Sequence, residues 1–233
     1  MDKFIDVVSY TKNSDNHYGT SGFAFYLYGL IKMIKPLSVI ELGTGVGTTC
    51  FLSAQACKEN NKGKVITIDN GQDCHLNKYN IDYDFNNHVD NFELSNFIEL
   101  RKTNLNLANL EILNDIEQVD ILFNDIDCSP HYVLTLLTWL LPRISTEGYL
   151  IVDRASTHWP TYCAIELVLT HLNQGKIPKI MLELIDNRQE FKDLIQNFKF
   201  SVQHILKEVE QGDDQDSFAI IKIEENNIGY RMI

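Results

Sequence analysis

Glu41-Leu-Gly-Thr-Gly-Val-Gly47 overlaps the end of a short apolar strand, Leu37-Ser-Val-Ile-Glu-Leu42, and leads into a segment of helical spacing from Thr48 to Lys58. A strand that turns into a helix through three glycines needs positive φ angles and close approach of backbone to ligand, and glycine permits both. In open α/β sheets ligands bind beyond the carboxyl ends of the strands. There the free N–H groups of the following helix start face them. The stretch therefore predicts a doubly wound α/β domain with a ligand at this loop; a tight turn with no ligand is the plain alternative.

The pattern repeats outward from the loop. Gly63 closes the first helix and Lys64-Val-Ile-Thr-Ile-Asp69 is the next strand. Phe97-Ile-Glu-Leu-Arg101, Val119-Asp-Ile-Leu-Phe-Asn-Asp125 and Gly148-Tyr-Leu-Ile-Val-Asp153 are the third to fifth. Helices are expected at about 3–10, 20–35 (ending before Pro36), 105–116, 131–141 (ending at Pro142), 161–173 and 188–198. Strands alternating with helices are the mark of βαβ units in a parallel sheet. Phe200 to Val209 and Ser217 to Ile223 form a terminal hairpin across the turn-rich Gln211-Gly-Asp-Asp-Gln-Asp216. The polar, Asn- and Asp-rich segment 70–96 predicts helical pieces broken by loops.

Spacing separates two cofactors. The dinucleotide fingerprint is G-x-G-x-x-G, whereas this chain has Gly43-x-Gly45-x-Gly47, with Glu41 upstream and Thr48 where the fingerprint wants Gly or Ala. The E-x-G-x-G-x-G form resembles motif I of class I S-adenosylmethionine-dependent methyltransferases, and strand order and hairpin extend the likeness over about 37–223. The resemblance implies a Rossmann-like methyltransferase fold: a seven-stranded mixed sheet with an antiparallel last strand. It also implies one domain over 1–233, with 1–36 a helical cap and 37–223 the cofactor-binding core. It brings S-adenosyl-L-methionine as cofactor, with Gly43, Thr44, Gly45 and Gly47 against the methionine part and Glu41 holding its amino group. Asp69, 22 residues beyond Gly47, would take both ribose hydroxyls, since a carboxylate accepts two hydrogen bonds at once. Thr103 and Asn104 would meet the adenine, and Asp125 would border the cofactor.

Methyl transfer is an in-line displacement, so the protein chiefly positions the nucleophile, within about 3–3.5 Å of the methyl carbon. A base helps where that nucleophile arrives protonated. Asn124-Asp-Ile-Asp-Cys-Ser-Pro-His-Tyr132 resembles the D-x-D-H-x-Y element of small-molecule O-methyltransferases, the catechol type among them. Asp125 matches the first acid and Asp127 the second, while His131 is displaced by two inserted positions. In the metal-dependent branch of that group the first acid joins an Asp-Asn pair after the fifth strand; here the pair is Asp153-Arg154. Arginine is no ligand for a hard ion, so Mg²⁺ on Asp125, Asp127 and Asp153 is the less favoured reading. The favoured one is metal-free. Arg154 pairs with Asp125 or Asp153, or anchors an acidic substrate by a bidentate contact, and His131 or His158 removes the substrate proton. Either histidine serves equally well as a helix cap or a solvent-facing residue. Asp125, a carboxylate at the end of a buried strand, needs a partner. Phe23, Phe25, Tyr26 and Tyr28 are a packing face or a lid, and Trp159 a packing residue or a substrate wall.

Composition narrows the acceptor. The formal net charge is −12, from 20 Lys and Arg against 32 Asp and Glu, with no basic run. A nucleic-acid substrate is disfavoured on that ground, which leaves a small molecule, methylated at oxygen by the resemblance and with nitrogen still open. Cys50, Cys57, Cys74, Cys128 and Cys163 form no CxxC pair, which suits reduced thiols in a cytoplasmic protein. No leader peptide and no apolar run of membrane-spanning length is read. N-terminal helices of this kind often mediate homodimers in the resembling family. Two rivals stand: an NAD-dependent oxidoreductase, set back by the glycine spacing and the hairpin, and a methyltransferase-like protein that binds cofactor without catalysis, suggested by Arg154 and the displaced His131.

Overall fold

The computed structural model describes residues 3–18, 21–71, 84–105, 110, 112–206 and 217–226. Its seven strands are β1 (Ser38–Leu42), β2 (Lys64–Asp69), β3 (Ile98–Lys102), β4 (Val119–Asn124), β5 (Ile144–Asp153), β6 (Phe198–Ile205) and β7 (Phe218–Glu225). They follow the order β3-β2-β1-β4-β5-β7-β6. Pairings β1–β2, β2–β3 and β4–β5 are parallel, and β7 runs antiparallel to both β5 and β6. This is the expected mixed sheet with a reversed last strand. The chain clusters into two compact units, Met1–Asn109 and Leu110–Ile233.

The first unit holds helices α1 (Lys3–Tyr18), α2 (Ser21–Ile34), α3 (Thr48–Asn60) and α4 (Phe85–Asn91) with β1 to β3. Helix α2 stops where Lys35 turns left-handed at φ 52° and donates its N–H to Ile31 O, because Pro36 cannot continue the helix. Helix α3 is buried from Thr48 through Cys57, as a helix covered on several sides must be; α1, α2 and β2 pack against it. Phe23 and Leu27 of α2 are core residues, and Tyr28 donates its hydroxyl to Glu59 of α3 at 2.6 Å. Phe23 and Tyr28 of the aromatic run thus pack against the unit, while Tyr26 is exposed. Register places Leu42 beside Ile68 and Asp69 beside Lys102, so the loops after β1, β2 and β3 leave the sheet at one level.

The second unit holds α5 (Pro130–Leu140), α6 (Trp159–Asn173), α7 (Arg188–Gln196) and β4 to β7. Every residue of β4 is buried, the apolar run of a strand covered on both faces. Pairing of Asn124 with Val152, continued by one residue, sets Asp125 level with Asp153. The strand expected to begin at Gly148 starts at Ile144 instead, since Glu147 pairs with Glu224 and Lys222 bridges both carboxylates at 2.9 and 2.7 Å.

The helix expected over 105–116 does not form in its described part: Leu110 and Ile112–Leu113 make a 3-10 turn. Residues 106–109 and 111, Cys74 and the acidic turn 211–216 lie outside the described residues. Among the described residues, no helix is long and apolar enough to cross a membrane.

Candidate active site

In the first unit Gly43, Gly45 and Gly47 stand at φ 95°, 52° and 79°, the left-handed region that glycine alone enters without strain. Gly43 N–H donates to Ile68 O at 2.9 Å and Gly47 N–H to Thr44 O at 2.8 Å, so the loop folds back across the end of β2. Asp69 fastens it there. Its Oδ2 accepts from Thr44 N–H at 2.9 Å and Gly45 N–H at 3.2 Å, and its Oδ1 from Gly71 N–H at 2.7 Å. A carboxylate has about four acceptor sites, so Asp69 serves the loop and still has capacity for a ligand hydroxyl. Thr103 N–H donates to Asp69 O at 2.8 Å, and Asn104 follows as an exposed residue. The structure brings the glycine loop, Asp69 and the turn after β3 together.

Glu41, expected to help hold the cofactor's amino group, often through water, is a buried residue at the end of β1. It is only 2% exposed and lies beside Thr67 in the β1–β2 register. Thr67 donates to its Oε2 at 2.5 Å and meets Thr44 Oγ1 at 2.6 Å, which links the buried acid to the loop. Burial pushes the Glu41 carboxyl up to about 8, against the pull of hydrogen bonds from Thr67 and Cys50 and with a small further push from Asp69. A raised folded value means the native state holds this proton while the unfolded chain has released it, so native stability falls as pH rises through the window up to about 8. Relative to Glu41→Gln, the wild type is expected to lose up to roughly 1.4 kcal/mol per pH unit between about pH 5 and 8. Thermal melts of the two proteins that run parallel across that range would remove this assignment.

Tyr10 carries no signal in the sequence, because its contacts span tens of residues. Its hydroxyl donates to Val46 O at 2.6 Å, and its ring lies 5.4 Å from Phe51, 4.8 Å from His88 and 5.7 Å from Phe92. Phe85 stacks on Phe51 at 5.0 Å. An aromatic cluster from α1, α3 and α4 therefore backs the glycine loop and ties the N-terminal helix to it.

In the second unit Asp153 ends β5, 5% exposed, and its Oδ2 accepts from Arg154 Nε at 3.0 Å. Burial pushes its carboxyl up, while its neighbours Asp125 and Arg154 pull it back. Arg154 has φ 58°, a left-handed position where a bulky residue is strained. Asp125, Asp153 and Arg154 thus converge.

Asp127 stands apart from them: its Oδ1 accepts from Ser129 N–H at 2.7 Å and its Oδ2 from Ser129 Oγ at 3.0 Å, at the start of α5. Asp127→Ala is expected to cost roughly 1 kcal/mol of stability, as loss of a local side-chain-to-backbone hydrogen bond does, with turnover nearly unchanged. A selective loss of turnover in that variant would return Asp127 to the reacting end. Among the described residues, no group of three or more His, Cys, Asp and Glu side chains is placed to hold a metal ion, and the Arg154 charge opposes one. The residues present do not fit the divalent ion of the metal-dependent branch.

His131 is exposed on α5, and its carbonyl accepts from Thr135 Oγ1. His158 is half-buried at the start of α6, with Nδ1 2.8 Å from Thr161 Oγ1. Thr161 donates its one hydroxyl hydrogen to Cys128 O, so toward His158 it can only accept. Nδ1 then carries the ring hydrogen of the neutral imidazole, and Nε2 has the free lone pair. Trp159, 71% exposed, stacks on Tyr162 with ring centroids 5.6 Å apart and planes 6° from parallel.

A second set, Ser156 with His204 Nδ1 at 2.8 Å and Glu166 3.2 Å from His204 Nε2, has the residue types of a nucleophile relay. Ser156 spends its hydrogen on Phe218 O at 2.6 Å, so His204 has no hydroxyl proton to take. The set joins α6 to the hairpin.

Residues 40–154, just short of half the chain, match a family model described as a methyltransferase domain. No curated protein matches the chain. Among solved structures the chain is similar to an O-methyltransferase from Bacillus cereus in complex with SAH, at 15% identity and TM-score 0.56, covering 97% of this chain and 91% of that one. It is similar to the O-methyltransferase TomG from Streptomyces achromogenes in complex with SAM, at 13% identity and TM-score 0.54, covering 96% and 90%. A third likeness is to an SAH-bound methyltransferase from Podospora anserina, at 11% identity and TM-score 0.55, covering 97% and 89%. At these identities the likeness is one of fold.

Proposed function

We infer that the chain, whose residues 40–154 match a family model described as a methyltransferase domain, transfers a methyl group from S-adenosylmethionine to an oxygen of a small molecule. The observation that carries the cofactor is the loop itself: three left-handed glycines in a turn whose Thr44 and Gly45 amides donate to Asp69. Gly43 to Gly47, Asp69, Thr103 and Asn104 of the first unit would hold the cofactor. Bound there, it supplies an electrophilic methyl on a sulfonium. All other work falls to the chain's own side chains.

Asp125, Asp153, Arg154 and His158 of the second unit receive the acceptor. With Nδ1 turned to Thr161, Nε2 of His158 is the site that accepts the acceptor's hydroxyl proton as the oxygen takes the methyl. His131, exposed on α5, has no such orienting partner among the described residues and is the weaker candidate. The two units act as one functional domain. The oxygen preference is supported by the O-methyltransferase fold relatives and by the two acids and His158 at the reacting end. The net charge of −12 without a basic run supports a small acceptor rather than a nucleic acid, and the unpatterned cysteines support a cytoplasmic setting.

Calorimetry tests the reading: S-adenosylhomocysteine is expected to bind one equivalent and to raise the melting temperature, with NAD doing neither. Stabilisation by NAD alone would replace this function with an oxidoreductase. Binding without methyl transfer to any of a broad acceptor panel would favour the non-catalytic rival.

A further inference from the structure

We propose that Arg154 stands in for the divalent ion of the resembling enzymes and that its guanidinium receives an anionic oxygen of the acceptor, a carboxylate in the simplest case. The proposal rests on the methyltransferase reading and names its acceptor class. Arg154 Nε holds Asp153 Oδ2 at 3.0 Å, so a cation at Asp153 would have to displace a guanidinium already seated on a buried carboxylate. The remaining ion ligand on β4's exit, Asp127, has turned both oxygens to Ser129.

The far end of Arg154 is open. Its side chain is 43% exposed, and among the described residues no hydrogen bond ties either Nη nitrogen. Those two nitrogens present the parallel N–H pair that matches a carboxylate. The backbone beneath is rigid: Arg154 N–H donates to Ser217 O at 2.6 Å, and Arg154 O accepts from His158 N–H at 2.9 Å and Thr157 N–H at 3.2 Å. A turn pinned on both sides keeps a long side chain aimed, and it retains a strained φ of 58° that the chain would shed if any residue served there.

The protein's charge of −12 repels anions in general, so an anionic acceptor needs such a local cation. Trp159, exposed and backed by Tyr162 on the same β5–α6 turn, offers an aromatic face to the acceptor's apolar part.

The test uses the full chain loaded with S-adenosylhomocysteine; failure of that ligand to bind would count against the methyltransferase reading and is read separately. Mn²⁺ is titrated into the loaded protein and followed by electron paramagnetic resonance. A panel of hydroxylated aromatic and aliphatic carboxylic acids is then titrated in EDTA, each acid against its primary amide. We expect the free-ion Mn²⁺ signal to persist and acids to bind more tightly than their amides. Arg154→Gln should weaken the acids by about 10- to 100-fold while leaving amides and S-adenosylhomocysteine within twofold.

Arg154→Asn is a second variant that should fold at least as well, because Asn tolerates left-handed φ better than Arg; it should show the same selective loss. One equivalent of Mn²⁺ bound by the wild type and lost in Asp153→Asn overturns the proposal. So does a panel in which no acid binds better than its amide, or equal losses for acids and amides in both variants.

Discussion

Asp69→Ala is expected to lower affinity for S-adenosylhomocysteine by at least about 100-fold, equivalent to about 3 kcal/mol, while the protein remains folded. Hydrogen bonds to a charged group contribute about 1.5–3 kcal/mol each, and Asp69 makes several. It gathers Thr44 N–H, Gly45 N–H and Gly71 N–H, and the proposed function adds the ribose hydroxyls. The substitution therefore acts twice, releasing the loop and removing the hydroxyl acceptor. A 2′-deoxyribose analogue of the ligand separates the two effects. If Asp69 takes the ribose hydroxyls, wild type and variant should differ less for the deoxy ligand, because part of the contact is already gone. Equal losses for both ligands would leave Asp69 as a loop fastener only, and unchanged affinity by calorimetry would sink its place in the site.

That dual role shows what a sequence can and cannot disclose. The glycine loop, the strand before it and Asp69 at the end of the next strand are local patterns, legible because period, punctuation and spacing are properties of a few neighbouring residues. Which atoms Asp69 faces depends on where Gly71 and the loop amides sit, and no spacing encodes that. Glu41 makes the point more sharply. Its place before the glycines suggested a ligand contact, yet the parallel register with Thr67 turns its carboxyl into the interior.

At the reacting end the sequence placed Asp125 and Asp153 at adjacent strand ends, because both terminate apolar runs. It left open whether Arg154 would pair inward, since that depends on a left-handed backbone turn pinned by Ser217, more than sixty residues on. Tyr10 was invisible for the same reason. The early start of β5 was misread because its cross-strand partners, Glu224 and the bridging Lys222, lie far along the chain and outweigh local propensity.

Gly47→Ala is expected to destabilise the protein by roughly 2–4 kcal/mol, from left-handed strain together with overpacking, and Gly71→Ala by only about 1 kcal/mol. The two positions have nearly the same backbone, φ 79° and φ 71°, so the left-handed penalty is common to both. Their surroundings differ. Among the described residues a Cβ on Gly71 meets nothing within 4 Å, whereas on Gly47 it would stand 2.7 Å from Phe51 Cε2 and Cζ and 3.1 Å from Phe85. Phe51 cannot simply swing away, because its ring is packed against Tyr10, Phe85 and Phe92. Relief must come from moving the loop or loosening the cluster that backs it, and either should also weaken S-adenosylhomocysteine. The difference between the two melting free energies isolates the aromatic backing from the backbone term. Equal destabilisation in both variants would mean that Phe51 yields freely and that the cluster does not hold the loop in place.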